Sequence, residues 1–248
     1  MYIVIAMAGE GKRFIDYGFS EPKFKLIVKD KPLFDWAVMS LSSFYKKATF
    51  IFVSQEGCND FVSQRCGILG IHSFRLVELK GPTNGQATTV MKGVESLDPA
   101  RPLLIYNIDT HINPEVLEAG DIEQNFSGWL LLFSASGTHW SFARLGRGGE
   151  VVEVSEKVCI SEYASTGLYY FSSIAIFKEA YSSLADEIKG RYREIYVAPL
   201  YQYLINSNQR VGSKIIDFEN VIPLGTPEEV AKFDSEFFAR YHINREVN

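Results

Sequence analysis

The residues with the clearest chemistry stand near the start of the chain. Residues 2–23 read YIVIAMAGEGKRFIDYGFSEPK. An apolar run, Tyr2 to Met7, meets a glycine-rich turn, Ala8-Gly9-Glu10-Gly11, and then Lys12 and Arg13. Lys23 stands ten residues past Arg13, after Pro22. Small residues let backbone N–H groups approach phosphate oxygens, and guanidinium and ammonium groups neutralise the charge. The stretch reads as a nucleotide triphosphate site, although the turn by itself is equally readable as a simple tight turn. The dinucleotide pattern G-x-G-x-x-G fails here, because Phe14 holds the third glycine position. A polar and aromatic loop, Phe14 to Glu21, is expected to follow in place of a helix. The P-loop pattern G-x-x-x-x-G-K-[ST] is absent as well.

Regular elements must position these groups. Tyr2–Met7, Thr49–Val53, Phe74–Leu79 and Pro102–Tyr106 read as strands, the first continuous in apolar residues as in a parallel sheet buried on both faces. Phe74–Leu79 is more polar and belongs nearer an edge. A helix is expected from Lys31-Pro32, with Leu33, Ala37, Leu41 and Phe44 on one face. Glu56–Cys66 and Ala87–Leu97 are further helices, the second after the loop KGPTNGQ. Alternating strands and helices predict βαβ crossovers, whose ligands sit beyond the carboxyl ends of the strands. The glycine turn and Asn107-Ile108-Asp109 both lie there.

The pattern then changes. Trp129–Ala135 and Thr166–Phe171 read as strands, and Ser141–Leu145 and Val151–Glu156 as a hairpin around Gly146-Arg147-Gly148-Gly149. Ile174–Ile188 and Ala198–Ile205 read as helices, Val211–Asp217 as a strand. A final helix, Thr226 to Tyr241, takes Thr226 as N-cap and Pro227 at its first position. The expected fold class is α/β, a Rossmann-like three-layer sandwich with a mostly parallel central sheet and a small antiparallel acceptor-side sheet. A single domain, 1–248, is expected, with a nucleotide-binding half at 1–112 and an acceptor-binding half at 113–248.

Composition bounds the partners. The chain has 248 residues, 46% hydrophobic and 22% charged, with net charge −5. That balance disfavours nucleic acid as a partner. No apolar run approaches the roughly 18 residues that span a bilayer, and no signal-peptide pattern opens the chain, so no membrane role is expected. Cys58, Cys66 and Cys159 are odd in number and widely placed, which suggests a reduced, cytoplasmic protein. His111 and His139 have no second His or Cys at metal spacing. Lys25, Lys29 and Lys31 read as a solvated charged face. Tyr169 and Tyr170 alternate on a strand, so only one can face a pocket.

An ordered set of motifs resembles the sugar-phosphate nucleotidyltransferases, also called nucleoside-diphosphate-sugar pyrophosphorylases. MAGEGKRF, then PKFKLIVKDKPLFDW, TNGQATTV, NIDTHI, VVEVSEK, ASTGLYYF and GTPEEV follow in the family's order over nearly the whole chain. HWSFARL and ISEYASTGLYYF add a likeness to short capsule-cluster nucleotidyltransferases. Some of those are cytidylyltransferases, with phosphoglutamine as one acceptor. The resemblance implies that Ala8, Gly9, Glu10, Gly11, Lys12, Arg13, Lys23, Gly85, Gln86 and Asn107 bind the nucleotide. Arg13 and Lys23 would hold the leaving pyrophosphate. Asp109 would bind Mg²⁺, and Lys157 would hold the acceptor phosphate. Trp140, Glu156, Thr166 and Gly167 would complete the acceptor side. Arg13, Lys23 and Lys157 thus form the implied catalytic set.

The implied reaction joins a nucleoside triphosphate, by resemblance CTP, to a phosphorylated metabolite such as a sugar 1-phosphate or phosphoglutamine. Surface or capsule polysaccharide synthesis is the implied setting, and a homodimer is an open partner expectation. One departure concerns the metal. Relatives often carry a second aspartate two residues before the last glycine, where this chain has Pro223. Asp217 and Glu219 are the nearby acids that could substitute. A glycosyltransferase of the same architecture is the alternative, but its Asp-x-Asp motif would need a second Asp in NIDTHI. A non-catalytic nucleotide-binding module is the other, against which stands the retention of Arg13, Lys23, Asp109 and Lys157.

Overall fold

The computed structural model describes residues 1–122 and 125–243. The chain enters through strand β1 (Tyr2–Ala6) and helix α1 (Lys12–Asp16). A short hairpin, β2 (Ile27–Val28) and β3 (Lys31–Pro32), leads into helix α2 (Leu33–Met39). Strand β4 (Thr49–Gln55), helix α3 (Asn59–Leu69), strand β5 (Phe74–Leu79), helix α4 (Gln86–Gly93) and strand β6 (Leu103–Asn107) follow. Strands β7 (Thr110–Ile112), β8 (Gly128–Ser134), β9 (Ser141–Leu145), β10 (Val151–Glu156) and β11 (Tyr163–Phe171) come next. Helices α5 (Ile174–Tyr192) and α6 (Tyr201–Asn206), strands β12 (Val211–Ile216) and β13 (Val221–Pro223), and helices α7 (Pro227–Phe233) and α8 (Phe237–Arg240) close the chain.

The main sheet has nine strands, with β6, β1, β4 and β5 adjacent and parallel. Successive side chains of a strand point to opposite faces. In β1, Ile3 and Ile5 pack with Phe34 and Val38 of α2 and Val62 and Cys66 of α3. Val4 faces the other way, onto Ala87 and Val90 of α4 and Phe177 of α5. The sheet is thus covered by helices on both sides, and β5 is its edge as expected. Each such fully buried aliphatic side chain contributes about 1.5–3 kcal/mol.

The antiparallel strands are continuous with the parallel ones. β11 pairs with β6 through Leu168 to Phe171, and with β8 and β9 on its other pairings. The hairpin β9–β10 hangs from that junction. Two small two-stranded antiparallel sheets, β13–β7 and β2–β3, lie outside the main sheet.

A third core ties the start of the chain to its end. Phe14, Phe19 and Leu33 pack with Val230, Phe237 and Phe238. This core explains one departure from the sequence reading. Residues 12–16 form a helical turn where a loop is expected, because Phe14, 1% exposed, is drawn into it. The expected final helix is broken in two. Asp234 leaves helical geometry, and its carboxylate accepts the Glu236 N–H at 3.2 Å, turning the chain. Thr226 and Pro227 start α7 as expected, in a capping box whose Glu229 carboxylate accepts the Gly225 and Thr226 N–H groups, each at 2.9 Å. Lys31-Pro32 is a strand, so the helix starts one residue later, at Leu33. Lys25, Lys29 and Lys31 do not form a free solvated face. Their ammonium groups lie over Phe61, Phe233 and Trp36, at 5.6, 3.7 and 4.3 Å from the ring centres.

Candidate active site

The parallel strands end along one rim, and the chemistry-bearing residues stand there. β1 delivers Met7 and Ala8, whose carbonyl accepts the side-chain amide of Gln55, the last residue of β4, at 3.0 Å. Sequence reasoning missed Gln55, although its place at a strand end was a usable signal. The turn Gly9-Glu10-Gly11 and Lys12 are solvent-facing, and Arg13 follows on the first turn of α1. A cleft of about 400 Å³ beside this turn is lined by Glu10, Lys12, Ile15, Asp16, Gln55 and Pro82.

β6 delivers Asn107 and, two residues on, Asp109. The Lys23 ammonium meets the Asp109 carboxylate at 2.7 Å. Arg13 donates to the Gly225 carbonyl at 3.4 Å, and Leu224 donates its N–H to the Asp109 carbonyl at 2.9 Å. Arg13, Lys23 and Asp109 are therefore brought to one place, although 96 positions separate Arg13 from Asp109. Burial opposes the ionised form of Asp109. The ammonium of Lys23 and then the guanidinium of Arg13 outweigh it and hold the carboxyl below the usual carboxylate range. Asp109 remains partly open, with its side chain 30% exposed.

The expected base-side residues also meet. Gln86 donates its side-chain amide to Asn107. Gly85 has φ +124°, and a Cβ there would stand 2.5 Å from the Ile195 nitrogen, so glycine is required by both conformation and space. Ile195 is pinned on either side, donating to Asn84 at 2.7 Å and accepting from Ala87 at 2.9 Å. The segment before α6 is thereby laid across the start of α4. Its Tyr196 is a second residue the sequence reading missed.

In the antiparallel hairpin, the β9–β10 pairing sets Glu156 opposite Ser141, whose hydroxyl donates to the buried Glu156 carboxylate. Burial, the largest influence, raises the Glu156 carboxyl above its ordinary value. Lys157 follows with φ +59°, its N–H donating to the Trp140 carbonyl at 2.9 Å. A left-handed backbone at a lysine is strained, and such strain gathers at functional positions. The Lys157 ammonium donates to the Tyr196 hydroxyl at 2.6 Å. Burial acts against that charge, but the Tyr196 hydroxyl and the nearby Glu156 and Glu194 leave Lys157 raised above its usual range.

Other expected residues have different surroundings. Trp140 packs its ring edgewise on Phe133, and its backbone is what reaches Lys157. Thr166 is 1% exposed and donates its hydroxyl to the Leu131 carbonyl at 3.2 Å, so its side chain is held in the sheet and away from any pocket. Gly167 does border the site: a Cβ there would fall 2.4 Å from the Asn107 amide nitrogen. It lets β11 lie against Asn107 at the end of β6. Tyr169 and Tyr170 are both buried, one on each face of the sheet. His111 is buried too, with Nδ1 2.6 Å from the Trp36 carbonyl.

Asp217 and Glu219 do not reach Asp109. The β13–β7 ladder sets Pro223 opposite Thr110 and Val221 opposite Ile112. Asp217 and Glu219 precede that ladder, before and within the 3-10 turn Phe218–Asn220, and the Asn220 carbonyl accepts the Asn113 N–H at 2.8 Å, at the end of β7 away from Asp109. Among the described residues, no group of three His, Cys, Asp or Glu side chains gathers to hold a metal. A single carboxylate still suits Mg²⁺, which keeps several waters and takes phosphate oxygens as ligands.

A mostly parallel central sheet with helices on both sides matches the architecture of nucleotidyltransferases. A structure of the nucleoside-diphosphate-sugar pyrophosphorylase from Vibrio cholerae RC9 is similar over 93% of this chain and 98% of that chain, with 33% identity and a TM-score of 0.86. The chain belongs to the nucleoside-diphosphate-sugar pyrophosphorylase family. The inositol-1-phosphate CTP transferase from T. maritima shares the fold, with a TM-score of 0.73 at 18% identity over 96% of this chain and 95% of that chain. The bifunctional protein GlmU of Anaplasma marginale (strain Florida) is 25% identical over 244 residues, 96% of this chain and 54% of its own length. The chain thus spans about half the length of the curated relatives it matches. No family model matches the chain. Among the described residues, no helix is long and apolar enough to cross a membrane.

Proposed function

We propose that this chain transfers a nucleotidyl group from a nucleoside triphosphate, CTP by preference, to a phosphorylated small molecule, releasing pyrophosphate. The observation that carries the reading is the pair of cationic centres. Arg13 and Lys23 stand beside Asp109, and Lys157 stands apart from them beside Tyr196; the first centre is read as the nucleotide side and the second as the acceptor side. Asn107, against Gly167 and Gln86, lies at the junction of the two halves.

The chemistry suits that arrangement. An acceptor phosphate oxygen attacks the α-phosphorus in line, the new P–O bond forms, and the bond to the β-phosphate bridging oxygen breaks. The attacking oxygen is already anionic, so no general base is required. The protein has to bring two anions together and neutralise the charge that leaves. Lys157 would hold the attacking phosphate, and Arg13 and Lys23 the departing pyrophosphate. Asp109 would hold Mg²⁺ with the triphosphate oxygens. That ion supplies charge neutralisation when bound. Lys23 then turns from Asp109 to the phosphates, a rotation its long side chain permits.

The preference for CTP rests on the motif resemblance, as does the assignment to surface or capsule polysaccharide synthesis. A fold neighbour described as a CTP transferase is compatible with it. The acceptor class is a sugar 1-phosphate or a phosphoglutamine-like monoester, handled in the cytoplasm. The test is pyrophosphate release from CTP, UTP, dTTP, ATP or GTP, each with a panel of phosphate monoesters and Mg²⁺. Release is expected fastest with CTP, and at least about a hundredfold slower in a folded Asp109→Ala variant. No release with any pair would overturn the reading.

A further inference from the structure

The hairpin β2–β3 is a two-stranded sheet of its own, and it follows Lys23 directly. Ile27 and Pro32 form a non-hydrogen-bonded pair of this ladder, next to the bond from the Leu33 N–H to the Leu26 carbonyl at 2.9 Å, so the backbone groups of Ile27 point outward from the hairpin. Side chains from the end of the chain satisfy this outer edge. The Tyr241 hydroxyl accepts the Ile27 N–H at 2.5 Å, and Arg240 donates to the Ile27 carbonyl at 3.1 Å. The Asp234 carboxylate accepts the Lys29 N–H at 2.5 Å and pairs with Arg240 at 2.6 Å. The contacts to Ile27 and Lys29 join residues 205 to 214 positions apart. Asp234 is only 5% exposed, while the side chain of its partner Arg240 is 28% exposed.

The apolar third core already holds the two ends of the chain together, but apolar contact is non-directional. Hydrogen bonds to successive backbone groups do more: they set where Ile27 lies along its own direction. Leu26 in turn closes the turn that carries Lys23, donating to the Lys23 carbonyl at 3.1 Å. The path from the clasp to the Lys23 backbone is therefore short, one peptide unit from Ile27 to Leu26 and one hydrogen bond from Leu26 to the Lys23 carbonyl. Small displacements of a group that must meet a phosphate are costly.

We infer that Asp234, Arg240 and Tyr241 form a clasp that positions Lys23 for the leaving pyrophosphate. They are positioning residues, acting through the backbone of residues 26–29. The inference rests on the proposed reaction only in giving Lys23 a pyrophosphate to hold.

The experiment is calorimetric binding of magnesium pyrophosphate to the full chain, well below the melting temperature, alongside Tm. Tyr241→Phe keeps the ring in its core and removes only the hydroxyl. Its pyrophosphate Kd is expected to rise about three- to tenfold, the loss of roughly one hydrogen bond. Arg240→Ala is expected to do the same, with recovery in Arg240→Lys, and the acceptor KM is expected to stay unchanged. A lowered Tm with unchanged pyrophosphate Kd would make the contacts merely structural and overturn the clasp, as would failure of the wild type to bind pyrophosphate. If the wild type binds pyrophosphate with the expected variant pattern yet releases none from any nucleotide pair, the clasp stands and the proposed reaction falls.

Discussion

At the scale of single residues, Lys157 carries the proposed acceptor-side role. It is strained at φ +59°, charged, and held by the Tyr196 hydroxyl at 2.6 Å. Replacing it by alanine removes the ammonium while the Trp140 carbonyl keeps its backbone bond. Lys157→Ala is expected to lower kcat/KM for the phosphorylated acceptor on the order of a hundredfold. The nucleotide KM should change little. Steady-state kinetics varied separately in the two substrates measure this, and a rise confined to the nucleotide KM would contradict the acceptor role. Lys23 differs in kind, because its charge is already matched by Asp109 at 2.7 Å.

At the scale of elements, the strand ends and the caps decide geometry. The capping box of α7 bonds Thr226 to Glu229 and, through the same carboxylate, fixes the N–H of Gly225. The Gly225 carbonyl is where Arg13 donates. A cap residue contributes about 1 kcal/mol, and a chain of this size loses roughly 2–4 °C of Tm per kcal/mol. Thr226→Ala is expected to lower Tm by that amount in calorimetry and to weaken nucleotide binding modestly. Thr226→Ser should restore both. An unchanged Tm would show that the box adds nothing to the stability of α7.

At the scale of the whole molecule, stability and the site are in opposition at Glu156. Burial raises this carboxyl above its ordinary value of 4.5, so the folded state holds the proton more tightly than the unfolded chain. Stability therefore falls as pH rises from the ordinary glutamate range through the raised one, and the deficit persists at higher pH. Glu156→Gln keeps an acceptor for Ser141 and removes the charge. It is expected to raise Tm relative to wild type at about pH 8, with the gain vanishing near about pH 4, while acceptor turnover falls. A gain independent of pH in thermal unfolding would rule out the buried charge as its cause.

The strand-and-helix alternation, the glycine turn, the cationic pair Arg13 and Lys23 and the cap at Thr226 were all legible in the chain, because they follow from local periodicity and backbone chemistry. So was the edge position of Phe74–Leu79, from its polarity. What residue order could not decide was contact between distant parts. The helical turn at 12–16, the split after α7 and the Phe233 ring over Lys29 all come from packing the two chain ends into one core. Gln55 and Tyr196 carry no motif and acquire partners only when strands and loops converge. Thr166 sits inside a familiar motif, yet the sheet claims its hydroxyl. Local sequence determined which groups could hold phosphate, and tertiary packing decided which of them meet, since directional contacts between residues far apart in the chain exist only once the sheet and its three cores have formed.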